Sequence, residues 1–238
     1  MSDEVQKFKE AAFNKIWHEG YFEGDPLESN SIAISYERII LADNTTAAFI
    51  KGKSSFHEIY VHCIKPYIDG TNVIEIGPGR GAWSKCMLSA NNLYVLDALS
   101  AEYNKFWEYV GRQENVKYIE VKDFECKELP DAFFNYMFSF GALCHVSFDG
   151  ITEYAKNLHK KLLPGANCFW MIADAQKFSK ATQQEVSSIS TKYDGEWRGW
   201  YFNNIDETCK MLTESGYIIK SRDLDLNVRD PIIYFQRV

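Results

Sequence analysis

The sequence predicts an α/β fold, doubly wound around a mostly parallel seven-stranded sheet, with an N-terminal helical cap over residues 1–70 and one core domain over 71–238. Three observations carry this. From residue 71 onward, short apolar runs alternate with segments of helical period, the pattern of a parallel sheet covered on both faces. The first of these runs ends in Gly77-Pro78-Gly79-Arg80-Gly81, a glycine-rich turn at a strand-to-helix corner. The last two runs are joined by a short polar connection ending at Pro231, so the chain should close on an antiparallel pair.

In the cap, Val5, Phe8, Ala12 and Ile16 recur at helical spacing between charged residues, predicting an amphipathic helix over 3–18. The aromatic and acidic run 16–26 has no sustained period and reads as an ordered loop. A weakly patterned segment at 30–43 and a helix at 54–66 follow. In the core, 71–76 is the first strand, and the stretch through Trp83, Met87 and Leu88 is its helix. Strands are expected at 92–96, 116–121 and 132–138, with a helix at 100–110 and too few residues at 124–131 for another. Ile151, Tyr154, Ala155, Leu158 and Leu162 form one stripe of a helix over 150–162, stopped by Pro164-Gly165. After a strand at 167–173, periodicity is lost from 174 to 203, a polar stretch carrying Trp197, Trp200, Tyr201 and Phe202. So long a connection is expected to be a lid or substrate-binding insertion. A helix at 204–214 and strands at 217–220 and 232–235 complete the chain.

A chain of 238 residues that is 46 % hydrophobic can bury a core without a metal or disulfide staple. The six cysteines are scattered singly, without the close pairs a zinc site needs, so buried free thiols and no metal are expected. A formal net charge of -7 argues against a surface built to neutralise phosphates, and hence against nucleic acid as the partner. No apolar run has the length of a bilayer crossing, and residues 1–10 lack the apolar core of a signal peptide, so the expected setting is cytoplasmic.

Glycines at the first corner let the backbone turn tightly and let a ligand lie against the main chain, with helix N–H groups exposed to it. Gly77, Gly79 and Ala82 also satisfy the looser dinucleotide fingerprint, so a nicotinamide cofactor competes here. Glu75 discriminates by sign of charge. A carboxylate just before the first glycine is a poor neighbour for a pyrophosphate and a good one for a cationic sulfonium or ammonium. Asp97, closing the second strand, can accept both hydroxyls of a ribose; capping the helix expected after it is the alternative. Asp123 and Phe124 follow the third strand, where an acid can accept from an adenine amino group and a ring can cover the base.

With these residues in place, the sequence resembles the class I, seven-stranded methyltransferase superfamily. Its glycine-rich first motif is matched by Glu75-Ile76-Gly77-Pro78-Gly79-Arg80-Gly81, its ribose-binding acid by Asp97 and its adenine-contacting pair by Asp123-Phe124. The motif after the fourth strand is matched by Ser139-Phe140-Gly141-Ala142-Leu143-Cys144-His145-Val146. The resemblance spans about residues 70–238. It implies the strand order 3-2-1-4-5-7-6 with strand seven antiparallel, S-adenosylmethionine as donor and S-adenosylhomocysteine as product. The cofactor site it implies is built from Glu75, Gly77, Pro78, Gly79, Gly81, Trp83, Asp97, Ala98, Asp123, Phe124 and Phe140. The acidic or Asn-Pro-Pro-Tyr signature of amino-methylating enzymes is absent after the fourth strand, which argues against such nitrogen acceptors.

Methyl transfer is an in-line displacement, so alignment and exclusion of water carry most of the rate. A hydroxyl acceptor must also lose a proton. His145, just after the fourth strand at the crevice where open α/β sheets bind ligands, is the first candidate to take it, with packing as its alternative role. His57 on the cap helix and Asp174 at the end of the fifth strand are further catalytic candidates, set against packing and strand-end roles. His18, Tyr21 and Phe22, with Arg198, Trp200 and Tyr201 from the insertion, are the expected walls of an acceptor pocket. A planar Arg beside aromatics suits a phosphate, carboxylate or sugar. The expected partner is a small polar molecule, a sugar or phosphorylated metabolite, methylated on oxygen. Nitrogen methylation of an amine or protein side chain, and a noncatalytic chain that keeps the cofactor fold, are the alternatives.

Overall fold

The computed structural model describes residues 2–12, 34, 36–40, 56–183, 186, 192–197 and 199–238. Seven strands, β1 (Asn72–Ile76), β2 (Asn92–Asp97), β3 (Val116–Glu120), β4 (Phe134–Ser139), β5 (Leu162–Met171), β6 (Tyr217–Ser221) and β7 (Ile232–Arg237), form one sheet in the order β3-β2-β1-β4-β5-β7-β6. Strands β1 to β5 pair in parallel, and β7 runs antiparallel to both β5 and β6. The direction of winding reverses between β1 and β4. In an open α/β sheet that switch leaves a crevice at the carboxyl ends of the strands, where ligands bind.

The central strands read as unbroken apolar runs because both faces are covered. On one face Ile74, Met137 and Trp170 pack with Ile151 and Leu158 of α6 (Phe148–His159) and Leu212 of α8 (Ile205–Glu214). On the other, Val73, Val95, Phe138 and Phe169 meet Met87, Phe106 and Ile64. The remaining helices are α1 (Asp3–Ala11), α2 (Tyr36–Ile40), α3 (Phe56–Ile59, running into a wider turn over Tyr60–Ile64), α4 (Ala82–Lys85), α5 (Phe106–Val110) and α7 (Ala175–Thr182). Among the described residues no helix is long and apolar enough to cross a membrane. Cys86 is half-buried, and the other five cysteines are buried free thiols.

Four expectations are corrected. The helix expected over 150–162 ends at His159, and Pro164-Gly165 lies inside β5, where the pairing with β4 shifts register between Phe134 and Tyr136. A proline stops a helix and also tolerates a strand irregularity, so it does not separate the two readings. The helix expected at 100–110 is only Phe106–Val110, because Lys105 takes a left-handed conformation with φ 49°. The helix after β1 is only Ala82–Lys85, its start marked by Gly81. The segment 174–203 is not unstructured at its start: α7 opens there on Asp174, whose carboxylate accepts from the Lys177 amide. Of the helix expected over 3–18, Asp3–Ala11 is described; 13–33 lies outside the described residues.

Candidate functional site

The carboxyl ends of β1, β2 and β4 open on a cavity whose floor is the turn after β1. Gly77 has φ 69°, and its amide donates to the Leu96 carbonyl at 2.7 Å. A Cβ on Gly77 would lie 2.1 Å from the Ala142 Cβ, so glycine there is what lets the loop after β4 close over the turn. Gly81, at φ 100°, has no room for a Cβ against Val110 and Phe106, which seats α5 beside α4.

Asp97 binds this turn to the end of β2. Its Oδ2 accepts from the Gly79 amide at 3.1 Å and its Oδ1 from the Leu99 amide at 2.9 Å. Burial raises its pKa to about 6, against the opposing pull of those two amides and of Asn104. Each carboxylate oxygen keeps a further lone pair for a ligand hydroxyl. Beside it stand Ala98, Leu99, Val121 and Phe124, the last held edge-on to Tyr154 at 4.9 Å. Pro78, Gly79, Gly81, Trp83 and Phe140 also line the cavity, with the Trp83 and Phe140 rings 5.2 Å apart.

Glu75 stands behind the turn, not among the cavity walls. It is 2 % exposed and accepts from the Ser84 hydroxyl at 2.5 Å, because alternation along β1 turns it towards α4. Burial, the largest cause, raises its pKa from 4.5 to about 8. The folded protein therefore holds this proton where the unfolded chain releases it. The stability it contributes is complete below about 4.5 and is lost as pH rises through about 8. Asp97 has the same sign, but its loss ends near 6. Glu75→Gln, which keeps the volume and a partner for Ser84, should therefore flatten the decline in thermal midpoint between about pH 7 and about pH 9. An unchanged slope in the variant would refute this.

His145 lines the cavity at the end of a short 3-10 turn, Leu143–His145. Its Nδ1–H donates to the Gly199 carbonyl at 2.5 Å, which puts the ring's lone pair on Nε2. Trp200 meets the ring edge-on at 5.3 Å, and the Trp197 indole N–H donates to the His145 carbonyl at 3.1 Å. Burial lowers the pKa to about 4; the Gly199 bond opposes this and the Arg229 charge adds to it. The imidazole is neutral at neutral pH and a weak base.

Helix α1 closes the cavity from the cap side through Glu4, Val5 and Phe8. The Glu4 carboxylate accepts from both the amide and the hydroxyl of Ser147 at 2.7 Å, and Lys9 pairs with Glu120 at 2.6 Å. Phe8 packs edge-on against Trp197 at 5.2 Å. Sequence reasoning missed this helix as a wall, and with it Arg80, Tyr103 and Asn104. Arg80 lies inside the glycine motif, which was a sufficient signal. Glu4 and Ser147 are too far apart in sequence for any local pattern to join them.

Several expected site residues stand elsewhere. Asp123 turns back to accept from the Glu125 amide and is not a cavity wall. Asp174 accepts from the Lys177 and Ile205 amides, so it caps α7 and fixes the approach to α8. His57 bonds the Ile39 carbonyl at 2.8 Å within the cap. Trp200 supports His145 from behind, and Tyr201 is fully buried, its amide bonded to the Cys144 carbonyl. His18, Tyr21, Phe22 and Arg198 lie outside the described residues.

No family model matches the sequence, and no curated protein matches it. Solved structures match in fold. An S-adenosylmethionine-dependent methyltransferase from Mesorhizobium loti gives a TM-score of 0.60 at 16 % identity, over 78 % of this chain and 99 % of its own. Magnesium protoporphyrin IX methyltransferase from Synechocystis PCC 6803, solved with S-adenosylmethionine, gives 0.59 at 13 % identity, over 100 % and 98 %. The 1,6-didemethyltoxoflavin-N1-methyltransferase of Burkholderia thailandensis, solved with S-adenosylhomocysteine, gives 0.50 at 14 % identity, over 71 % and 72 %. At these identities the likeness is one of fold: this chain has the class I, Rossmann-like methyltransferase fold.

Proposed function

We propose that this chain, with its class I methyltransferase fold, transfers the methyl group of S-adenosylmethionine to an oxygen of a small-molecule acceptor. The observation that carries the reading is Asp97, tied to the glycine turn through Gly79 and facing the cavity at the switch point beside Phe124. The fit is chemical. Asp97 would hold the ribose hydroxyls, Phe124 and Val121 would cover the base, and the main chain at Gly77 and Gly79 admits a ligand where a side chain would not. When bound, S-adenosylmethionine supplies a methyl group activated by a sulfonium and leaves as the neutral thioether. Glu75, one layer back and holding its proton at neutral pH, acts on the turn through its bond with Ser84 and not through a charge on the donor.

Helix α1 and Trp197, Gly199 and Trp200, which back His145, would exclude water from the reacting atoms. His145 would take the acceptor's proton at Nε2, because its Nδ1 hydrogen is engaged by Gly199. One carbon–sulfur bond is exchanged for one carbon–oxygen bond, and the hydroxyl proton ends on the imidazole. A base with a pKa of about 4 favours an acceptor hydroxyl that is itself acidic. The cavity that His145 lines has many apolar walls, Val5, Phe8, Ile34, Phe140 and Val146 among them, which favours a phenolic or enolic hydroxyl on a molecule with an apolar face over a bare sugar phosphate.

The test is turnover of S-adenosylmethionine against phenols, enols, sugars, sugar phosphates and amines, in the parent chain and in His145→Ala. With a hydroxyl substrate the variant should lose about 10- to 100-fold in kcat, at or below the usual range because the base is weak, while S-adenosylhomocysteine binds as before. Equal kcat in the variant would point to an acceptor that needs no base, such as an amine. Turnover confined to nucleic acid or protein would overturn the small-molecule reading.

A further inference from the structure

We infer that Arg80 anchors the carboxylate of the donor's amino-acid tail, so that the cavity recognises an α-amino acid joined to a nucleoside and not the nucleoside alone. The inference rests on the donor proposed above and adds the residue that reads its one anionic group.

Arg80 follows Gly79, whose amide is bonded to Asp97, so a fixed cation and the candidate ribose acid share one turn and one cavity wall. The other ionisable walls are provided for. Glu4 takes both donors of Ser147, Asp97 takes the Gly79 and Leu99 amides, and His145 is held neutral. Arg80 is the one Arg or Lys among the described walls. Among the described residues it makes no ion pair, and its Nε is buried without a hydrogen-bond partner. A guanidinium has only donors, so a buried N–H left without an acceptor is a cost that a bound anion removes.

The platform beneath it sets its orientation. The guanidinium carbon lies 5.1 Å from the Tyr109 ring centroid, and the Tyr109 hydroxyl accepts from the Tyr36 amide at 2.8 Å, which fixes that ring. Lys85 Nζ sits 4.6 Å from the same centroid and the Tyr109 hydroxyl donates to the Glu37 carboxylate at 3.4 Å, so these two charges flank the ring and offset each other, leaving Arg80 as the cation of the cavity wall. Stacking occupies a face of the guanidinium and leaves its N–H edges, a planar fork that matches a carboxylate. A pyrophosphate would bring more negative charge beside Asp97 and Glu4 than one cation can offset, whereas a single carboxylate is balanced.

The test is calorimetric and needs no turnover. The full chain is titrated with S-adenosylhomocysteine and with 5′-methylthioadenosine, which has the same nucleoside and sulfur but no amino-acid tail. Arg80→Ala should weaken S-adenosylhomocysteine about 10- to 100-fold and change 5′-methylthioadenosine by less than about twofold, with Arg80→Lys in between. Equal weakening of both ligands would assign Arg80 to holding Tyr109 and would overturn the inference, as would unchanged binding of both. The unaltered chain gives a check free of folding effects: decarboxylated S-adenosylmethionine should bind it more weakly than S-adenosylmethionine by a similar factor, and equal affinity overturns the anchor. If the unaltered chain binds none of these ligands, the donor assignment fails and the inference fails with it.

Discussion

Asp97→Ala should lower the affinity for S-adenosylhomocysteine by about 1000-fold in calorimetry. Two ribose hydroxyls donating to one half-buried carboxylate are charge-assisted bonds worth about 1.5–3 kcal/mol each, and about 1.4 kcal/mol is a factor of ten. The same truncation strips the Gly79 and Leu99 amides of their acceptor, so the glycine turn should also loosen, with a stability loss of about 1–3 kcal/mol. Asp97→Asn separates the two effects. It keeps the shape and one acceptor oxygen, so most of the stability should return while binding remains weak. The pH dependence has a definite sign: the ionised form is the better acceptor, so affinity in the unaltered protein should fall as pH falls through about 6. Binding that is indifferent to both substitutions would remove the ribose role of Asp97 and with it the main support for the donor.

The features legible in the sequence were those with a local signature. Alternating apolar runs and the glycine turn located β1 and the crevice, and Gly77, Asp97 and Phe124 were visible because each closes or follows a strand. What was not legible has particular causes. Helix α7 carries one large apolar residue, Phe178, so it has no stripe, and Asp174 looked like a strand end because its capping partners are amides. The carboxyl of Glu75 was readable, but the burial that keeps it protonated at neutral pH and the side of the turn it faces depend on strand alternation and on Ser84. Leu162 satisfied the helical stripe of α6 by spacing alone while the fold spends it in β5. The α1 wall depends on Glu4 meeting Ser147, a contact that only the closed tertiary structure defines.

Gly77→Ala should be the most damaging added methyl group among the described glycines. Two costs add: the left-handed backbone at φ 69° penalises any Cβ by about 1–2 kcal/mol, and the new atom would sit 2.1 Å from the Ala142 Cβ, an overpacking worth about 1–3 kcal/mol. The expected loss is about 2–5 kcal/mol, a fall of about 4–20 °C in thermal midpoint for a domain of this size. Relief of the clash must displace the loop after β4, which carries Phe140 and His145, so binding of S-adenosylhomocysteine should drop below detection. The clash names its own rescue. Ala142→Gly in the Gly77→Ala background removes the colliding atom and leaves the Ala142 Cα position 3.4 Å from the new Cβ. Binding should then largely recover, while the backbone strain persists as a residual loss of about 1–2 kcal/mol. If the double variant is no better than Gly77→Ala alone, contact between the glycine turn and the loop after β4 does not hold the site together, and backbone strain at Gly77 accounts for the damage instead.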